Sequence, residues 1–394
     1  MDGQPEARID LDAITANVAA LTSHVGAAQV LAVVKSDGYG HGLLPTARAA
    51  LAGGATWLGV IQATDAIALR QAGLRAPVLT LHGSPDVPHA DAIANDVDLT
   101  VGSAALLRQV AAAAGQAGRP GRVHLEADTG MSRGGATAAD WPDLVAAARA
   151  AEAEGLIKVV GLWSHFACAD IPGHPAIDRQ LTAFRAAVEQ AERAGIKPEV
   201  RHLANGPATL NLPQSYFDLV RPGGPVVGLC TTPGGVPDWL RPAMTVRARL
   251  IQVKRVPAGT PVSYAHRFET QRDATIGVLP LGYNEGVPRS ATNHDGLLWT
   301  RGRRVPIAGT VNLNHLMLDL GDQPAEEGDE VILFGPGDQG EPTAQEWADQ
   351  LGTISYEIVT RFTGKVPRTY SGVTGAGSDL AVDGRADGQV AAAH

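Results

Sequence analysis

Between about residue 27 and residue 235 the chain alternates two patterns. Short apolar, β-rich runs occupy Gln29–Val34, Trp57–Ile61, Val78–Leu81, Val97–Val101, Val123–Glu126 and Val159–Trp163. Each is followed by a stretch with apolar residues at helical spacing, as in Leu44–Ala52, Thr64–Ala72, Ser103–Ala117, Trp141–Glu154 and Ala176–Ala194. Such apolar runs predict buried strands, and a strand–helix unit of roughly 25–40 residues predicts parallel strands joined by crossover helices. At least six such units favour a closed (β/α)8 TIM-like barrel over an open doubly wound sheet. The open sheet is not eliminated by periodicity alone.

After Pro233-Gly234-Gly235 the texture changes. Met244–Val256, Thr275–Leu279, Arg304–Ala308, Leu316–Leu320 and Glu330–Phe334 are short, β-branched and separated by Gly, Pro and Asp turns, with one helical stretch at Thr343–Gln350. This predicts a mostly antiparallel β-domain. The expected organisation is a barrel over residues 1–235, a β-domain over 236–371 and a disordered tail over 372–394, where Gly, Ala and Asp dominate.

Composition narrows the function classes. The 394 residues are 44% hydrophobic and 19% charged, enough to bury a large core without staples. A net charge of −9 with no dense basic block gives no electrostatic support for nucleic-acid binding. Cys168 and Cys230 are the two cysteines and have no metal-type spacing, so neither a disulfide framework nor a metal site is expected. With no apolar run long enough to span a bilayer and no signal-peptide pattern, the expectation is a cytoplasmic protein without membrane partners.

The chemistry concentrates around Lys35. It follows the run Val30-Leu-Ala-Val-Val34, which places it at the carboxyl end of the first buried strand, the catalytic face of a barrel. A lysine there can lose its proton and act as nucleophile and base. It can equally reach out to solvent. Gly38, Gly40 and Gly42 allow the backbone to fold closely around a ligand, and Tyr39 offers a hydroxyl.

Val34-Lys-Ser-Asp-Gly-Tyr-Gly-His-Gly42 resembles the cofactor-lysine motif of the alanine racemases, and further matches run in the same order from about residue 7 to residue 370. The resemblance implies a barrel plus β-domain enzyme in which Lys35 carries pyridoxal 5'-phosphate as a Schiff base. Asp128-Thr-Gly-Met-Ser-Arg133 is similar to the family segment whose arginine binds the cofactor's phenolic oxygen and orients substrate. Glu126 stands where many members have a carbamylated lysine, and its carboxylate would substitute for the carbamate in holding Arg133. His165-Phe-Ala-Cys-Ala-Asp170 and His202-Leu-Ala-Asn205 match segments that place His165 and Asn205 beside the cofactor. Arg221-Pro-Gly223-Gly224 resembles the segment whose arginine faces the pyridine nitrogen and whose glycines bind phosphate. At Gly206 the usual phosphate-binding serine hydroxyl is missing, leaving backbone amides.

By the same resemblance Tyr264, in Pro261-Val-Ser-Tyr264, is the second catalytic base, contributed across a homodimer whose active sites are shared. Tyr283 and Leu313 would line the substrate site and Tyr356 would touch the phosphate. Each of these tyrosines could otherwise serve only packing. The match weakens at Gly309-Thr-Val-Asn-Leu-Asn-His315, where the family has Gly-Arg-Val-Cys-Met-Asp-Gln. The implied activity is two-base racemisation of alanine or another small amino acid. A decarboxylase or aldolase on the same scaffold, or a cofactor-binding homologue without catalysis, would be the alternatives. Arg221 in place of an acid, and the retained Tyr264, argue against them.

Overall fold

The computed structural model describes residues 4–372. Residues 373–394, nearly all of the expected tail, lie outside the described residues, as do residues 1–3. The chain divides into two compact units, one formed by Ile14–Leu240 and the other by the residues up to Ala13 and from Arg241 onward.

The first unit is the parallel barrel. Numbering its strands alone, they are β1 (Gln29–Val33), β2 (Trp57–Val60), β3 (Val78–Thr80), β4 (Val97–Val101), β5 (Gly121–Glu126), β6 (Ile157–Trp163), β7 (Val200–His202) and β8 (Leu219–Val220). They pair in sequence from β1 to β7, and β8 returns to lie parallel to β1. Backbone bonds from Asp218 N to Arg201 O (3.0 Å) and Arg221 N to Ala204 O (2.9 Å) link the β7 and β8 segments. Leu31, Val33, Trp57, Leu79, Val160, Val200 and Leu219 form a buried cluster. Interior β-branched and Leu side chains of this kind make a barrel a packed core rather than a pore.

The helices form where their ends are satisfied. Ser103 caps Ala104–Ala117 by accepting from Leu106 N, and Gly118 closes that helix in the left-handed region at φ 66°. The six strands and five helices expected in the barrel are present within one or two residues of their expected starts and ends. β7 and β8, three and two residues long, complete the expected eight strands, but the sequence does not locate them, because runs that short carry no readable periodicity.

The second unit is antiparallel except at one position. Glu6–Asp10 pairs antiparallel with Met244–Arg249 and parallel with Arg368–Ser371. The expected boundary at residue 235 assigned that N-terminal strand to the barrel, and the structure corrects this. Its alternating burial, with Ala7 and Ile9 inside, suits a sheet with one covered face rather than a doubly buried barrel strand. Met244–Val256 is two strands, broken after Arg249, so that Gln252–Val256 joins a separate three-stranded sheet with Ala274–Leu279 and Leu316–Asp319. Thr343 and Glu346 make a reciprocal capping box that starts the helix Ala344–Leu351. Among the described residues, no helix is long and apolar enough to cross a membrane.

Candidate active site

Lys35 lies two residues beyond β1, and the backbone after it turns the wrong way for a helix of L-residues. Ser36 (φ 53°, ψ 50°), Asp37 (φ 55°, ψ 49°) and Gly38 (φ 62°, ψ 37°) are all left-handed, and Tyr39 has φ 54°. A left-handed conformation costs about 1–2 kcal/mol for each non-glycine residue, so the turn must be held from outside. Backbone bonds run from Gly38 N to Val34 O (3.0 Å), Gly40 N to Ser36 O (3.1 Å) and Gly42 N to Asp37 O (2.8 Å). Asp37 Oδ1 also accepts from Leu43 N at 2.7 Å. Only glycine fits at position 38, since a Cβ there would lie 2.6 Å from Thr46 Oγ1. The strained turn thus fixes the lysine at the barrel mouth.

Burial, with Arg133 adding its repulsion, lowers the Lys35 pKa and eases formation of the free amine. The ammonium lies 6.0 Å from the centroid of the Tyr39 ring. Burial raises the Tyr39 phenol far above its ordinary value and keeps it protonated. Its hydroxyl occupies the space over Gly223, where a Cβ would approach to 2.1 Å.

Arg221 follows β8 and is buried. It donates through Nη2 to Ser164 O (2.7 Å) and Leu203 O (3.3 Å), and through Nη1 to His202 Nδ1 (2.9 Å). Its guanidinium carbon lies 4.8 Å from the Trp163 ring centroid. Burial lowers its pKa to about 9, against the pull of Glu126 and with the push of Arg133. It therefore stays charged at neutral pH.

His165, after β6, is held well below its ordinary pKa by burial, then by Arg221, Arg133 and Lys35. It is a neutral imidazole, with Asn205 Nδ2 3.4 Å from its Nε2. Asn205 also caps the helix Gly206–Asn211 by accepting from Ala208 N. A Cβ at Gly206 would press on Pro225 Cδ at 3.1 Å, tight against a residue two beyond Gly223. Lys35, Arg133 and Arg221 all act on the neutral His165, so three cations gather around it at the barrel mouth.

Glu126, the last residue of β5, is the carboxylate of this cluster. Burial raises its pKa to about 7, opposed by the charges of Arg133 and Arg221. Among the described residues no ion pair or hydrogen bond joins it to Arg133, which is exposed, so the direct clamp expected from the sequence is not formed. The pH consequence follows from the sign of the shift. The folded value, about 7, lies above the unfolded value near 4.5, so the native state holds this proton more tightly. Stability falls as pH rises through that window, by an amount on the order of 3 kcal/mol once pH exceeds the folded value. The variant Glu126→Gln should therefore unfold at a higher temperature than the parent at pH 8, measured on cofactor-free protein. The gap should close toward pH 4.5, and a constant gap would show that Glu126 is not the titrating group.

One positioning residue was missed. Gln180 is buried on the apolar face of the helix Ala176–Arg193. Its amide donates to His165 O (2.9 Å) and Thr129 Oγ1 (3.3 Å), while its oxygen accepts from Ala167 N (2.9 Å). The available signal was a glutamine at a core position, between Ile177 and Phe184 in the helical stripe.

In the second unit Tyr264, Tyr283 and Leu313 are exposed, by 71%, 43% and 50%, and Tyr356 lies half-buried on the helix Ser355–Thr360. The altered 310–314 segment grips the turn bearing Tyr264. Thr310 Oγ1 donates to Tyr264 O (2.9 Å), and Ser263 Oγ contacts Thr310 O (2.7 Å) and Asn312 Oδ1 (2.9 Å). Tyr283 N and Asn284 N donate to Asn312 O (3.0 Å) and Leu313 O (2.9 Å), so three of the expected residues share one loop cluster.

Two family models cover nearly the whole chain: alanine racemase, N-terminal domain, over residues 9–231, and alanine racemase, C-terminal domain, over residues 243–370. An alanine racemase of Frankia casuarinae is 55% identical over 365 residues, 92% of this chain and 95% of that protein. The crystal structure of alanine racemase from D-cycloserine-producing Streptomyces lavendulae superimposes with a TM-score of 0.91 at 47% identity, covering 95% of this chain and 98% of that one. An alanine racemase of Clostridium difficile retains a TM-score of 0.86 at 28% identity, over 93% and 96% of the two chains. With a strained lysine turn, a buried arginine and these likenesses in hand, the chain belongs to the alanine racemase family of isomerases.

Proposed function

We propose that the protein interconverts the enantiomers of alanine or another small amino acid, with pyridoxal 5'-phosphate held by Lys35. The observation that carries the reading is the desolvated Lys35 amine at the head of a strained turn, inside a cationic cluster whose carboxylate is Glu126. Such a cluster suits a phosphorylated, electron-poor aromatic aldehyde. The glycines at 206, 223 and 224 would admit its phosphate close to the backbone, and Tyr39, His165 and Asn205 would border it.

When bound, pyridoxal phosphate withdraws electron density from the substrate Cα and makes its hydrogen acidic. Lys35, its pKa already lowered, takes or returns that proton on one face. Arg221 can donate a hydrogen bond but never accept one, so a ring nitrogen set against it would stay unprotonated. That limits electron withdrawal and favours reprotonation at Cα over transamination. Arg133 would hold the phenolic oxygen and orient the substrate. The opposite face is served by Tyr264 of the partner subunit in a cytoplasmic homodimer, with Tyr283, Leu313 and Tyr356 around the entrance and phosphate. The exposure of Tyr264, Tyr283 and Leu313 in a single chain supports this assembly.

Single-enantiomer amino acids in deuterated water test the activity. Racemisation with deuterium at Cα is expected, alanine among the substrates. Release of carbon dioxide, or no exchange with any amino acid, would overturn the reading. Gly223→Ala adds a separate test of the cofactor site. Its Cβ would meet the Tyr39 hydroxyl at 2.1 Å, so Tyr39 must leave its place. Overpacking of this kind costs about 1–3 kcal/mol, which predicts a roughly 5- to 150-fold weaker affinity for pyridoxal phosphate by fluorescence titration.

A further inference from the structure

Behind Arg221 a chain of buried polar side chains crosses the barrel. His202 ends β7, His124 lies in β5 and Asp98 in β4, and all three are essentially inaccessible to solvent. His202 Nε2 is 2.8 Å from His124 Nδ1, and His124 Nε2 is 3.2 Å from Asp98 Oδ2. Arg122 completes the far end with a two-pronged contact, Nε to Asp98 Oδ1 at 2.6 Å and Nη2 to Oδ2 at 3.1 Å. The strands are built to allow this. The β5–β6 register shifts between Val123 and His124, and opposite the histidine stands Gly161, where a Cβ would lie 2.1 Å from His124 Nδ1.

The direction of every bond in this chain is determined by its two ends. A guanidinium only donates, so His202 Nδ1 accepts from Arg221 and the ring proton sits on Nε2. That proton is donated to His124 Nδ1, which places the proton of His124 on its own Nε2. Asp98, ionised and paired with Arg122, receives it as an acceptor-only group. Reversing any one bond reverses all of them and brings a ring N–H of His202 against the N–H groups of Arg221. In a dry interior such a donor–donor clash is strongly unfavourable.

We propose that Asp98 is a positioning residue for Arg221: its carboxylate, acting through His124 and His202, fixes the hydrogen-bond direction that seats the guanidinium at the barrel mouth. The inference rests on the racemase reading for its catalytic consequence, while the relay itself stands on this chain's geometry alone. Asparagine at 98 offers either an oxygen or an amide to His124, so the carboxylate end no longer imposes the direction and only the donors of Arg221 oppose its reversal. Arg122, by contrast, can be removed without changing which atom of Asp98 accepts.

Nitrogen-15-labelled histidine and long-range proton–nitrogen spectra of the unmodified protein should show both His124 and His202 as neutral Nε2–H tautomers. A proton on Nδ1 of either ring, or an imidazolium, would overturn the relay whether or not any variant folds. In Asp98→Asn a mixture of tautomers should appear, with kcat lowered about 10–100-fold, as expected when a partner that orients a site group from behind is lost, and KM changed less than threefold. In Arg122→Gln both tautomers should persist and kcat should stay within about threefold, although the protein melts earlier. Equal losses of kcat in the two variants, or an Asp98→Asn protein with parental tautomers and kcat, would reduce Asp98 to a structural ion pair and overturn the proposal. A parent protein that racemises nothing would sink the racemase reading instead and leave the spectra to decide the relay.

Discussion

Replacing Lys35 with alanine should abolish racemisation, by more than about 10⁴-fold, and with it the visible absorbance of the cofactor-loaded protein. The size of the effect follows from two losses at one atom. Covalent tethering through a positioned amine is worth effective molarities on the order of 10⁵ M or more, and in the proposed reaction the same amine is the base on one face of Cα. Neither is replaceable by a neighbour. Arg133 and Arg221 cannot deprotonate usefully, and burial with three nearby cations holds His165 neutral and poorly basic. Adding methylamine to Lys35→Ala should recover part of the proton transfer without recovering the anchored absorbance. A variant that kept parental activity would remove Lys35 from the chemistry. The fold should survive, because the left-handed turn is held by backbone bonds and by Asp37, not by the lysine side chain.

How much of this could be read beforehand depended on which physical signal each element carries. The barrel strands β1 to β6 are largely apolar runs followed by helical stripes, and periodicity finds such runs. β7 and β8 bury two or three residues each and gain their place from neighbouring strands, a tertiary effect invisible in a short window. The strand Glu6–Asp10 pairs with segments more than two hundred residues away, and nothing local to residues 6–10 specifies those partners. Lys35, Tyr39, His165, Asn205 and Arg221 could be singled out as candidates because they sit in motifs at strand ends. Glycine clusters announced the turn, though not that it would be left-handed over four residues. Asp98 and His124 were illegible for a different reason. Each stands between apolar neighbours in its strand, and only the assembled barrel shows that they face each other. The departures at Thr310 and Asn312 weaken the family match in the sequence, whereas in the fold they hold the turn of Tyr264.

Tyr264→Phe should separate proton exchange from inversion. Racemisation needs a proton taken from one face and returned to the other, so removing one of two opposed groups stops inversion in both directions. A positioned acid–base group contributes about 10²–10⁴-fold, and the rate of racemisation should fall by that factor from either enantiomer. The Lys35 face remains intact. The enantiomer whose Cα hydrogen faces Lys35 should still exchange with deuterated water while keeping its configuration, and its mirror image should exchange far more slowly. Loss of a buried contact cannot produce this asymmetry, since Tyr264 is exposed by 71% in the single chain and phenylalanine preserves its ring. Its phenol, held in place through Thr310 and the turn at Ser263, is the only group that changes. Equal residual exchange of both enantiomers would mean that Tyr264 only shapes the site. An unaltered rate would assign the second face to another residue. Mixing Tyr264→Phe with Lys35→Ala tests the shared site in the same assay. If each site draws its tyrosine from the other subunit, a heterodimer carries one site with both groups intact, and activity should reappear after subunit exchange. No recovery, with exchange verified by mass, would place both groups of a site on one chain.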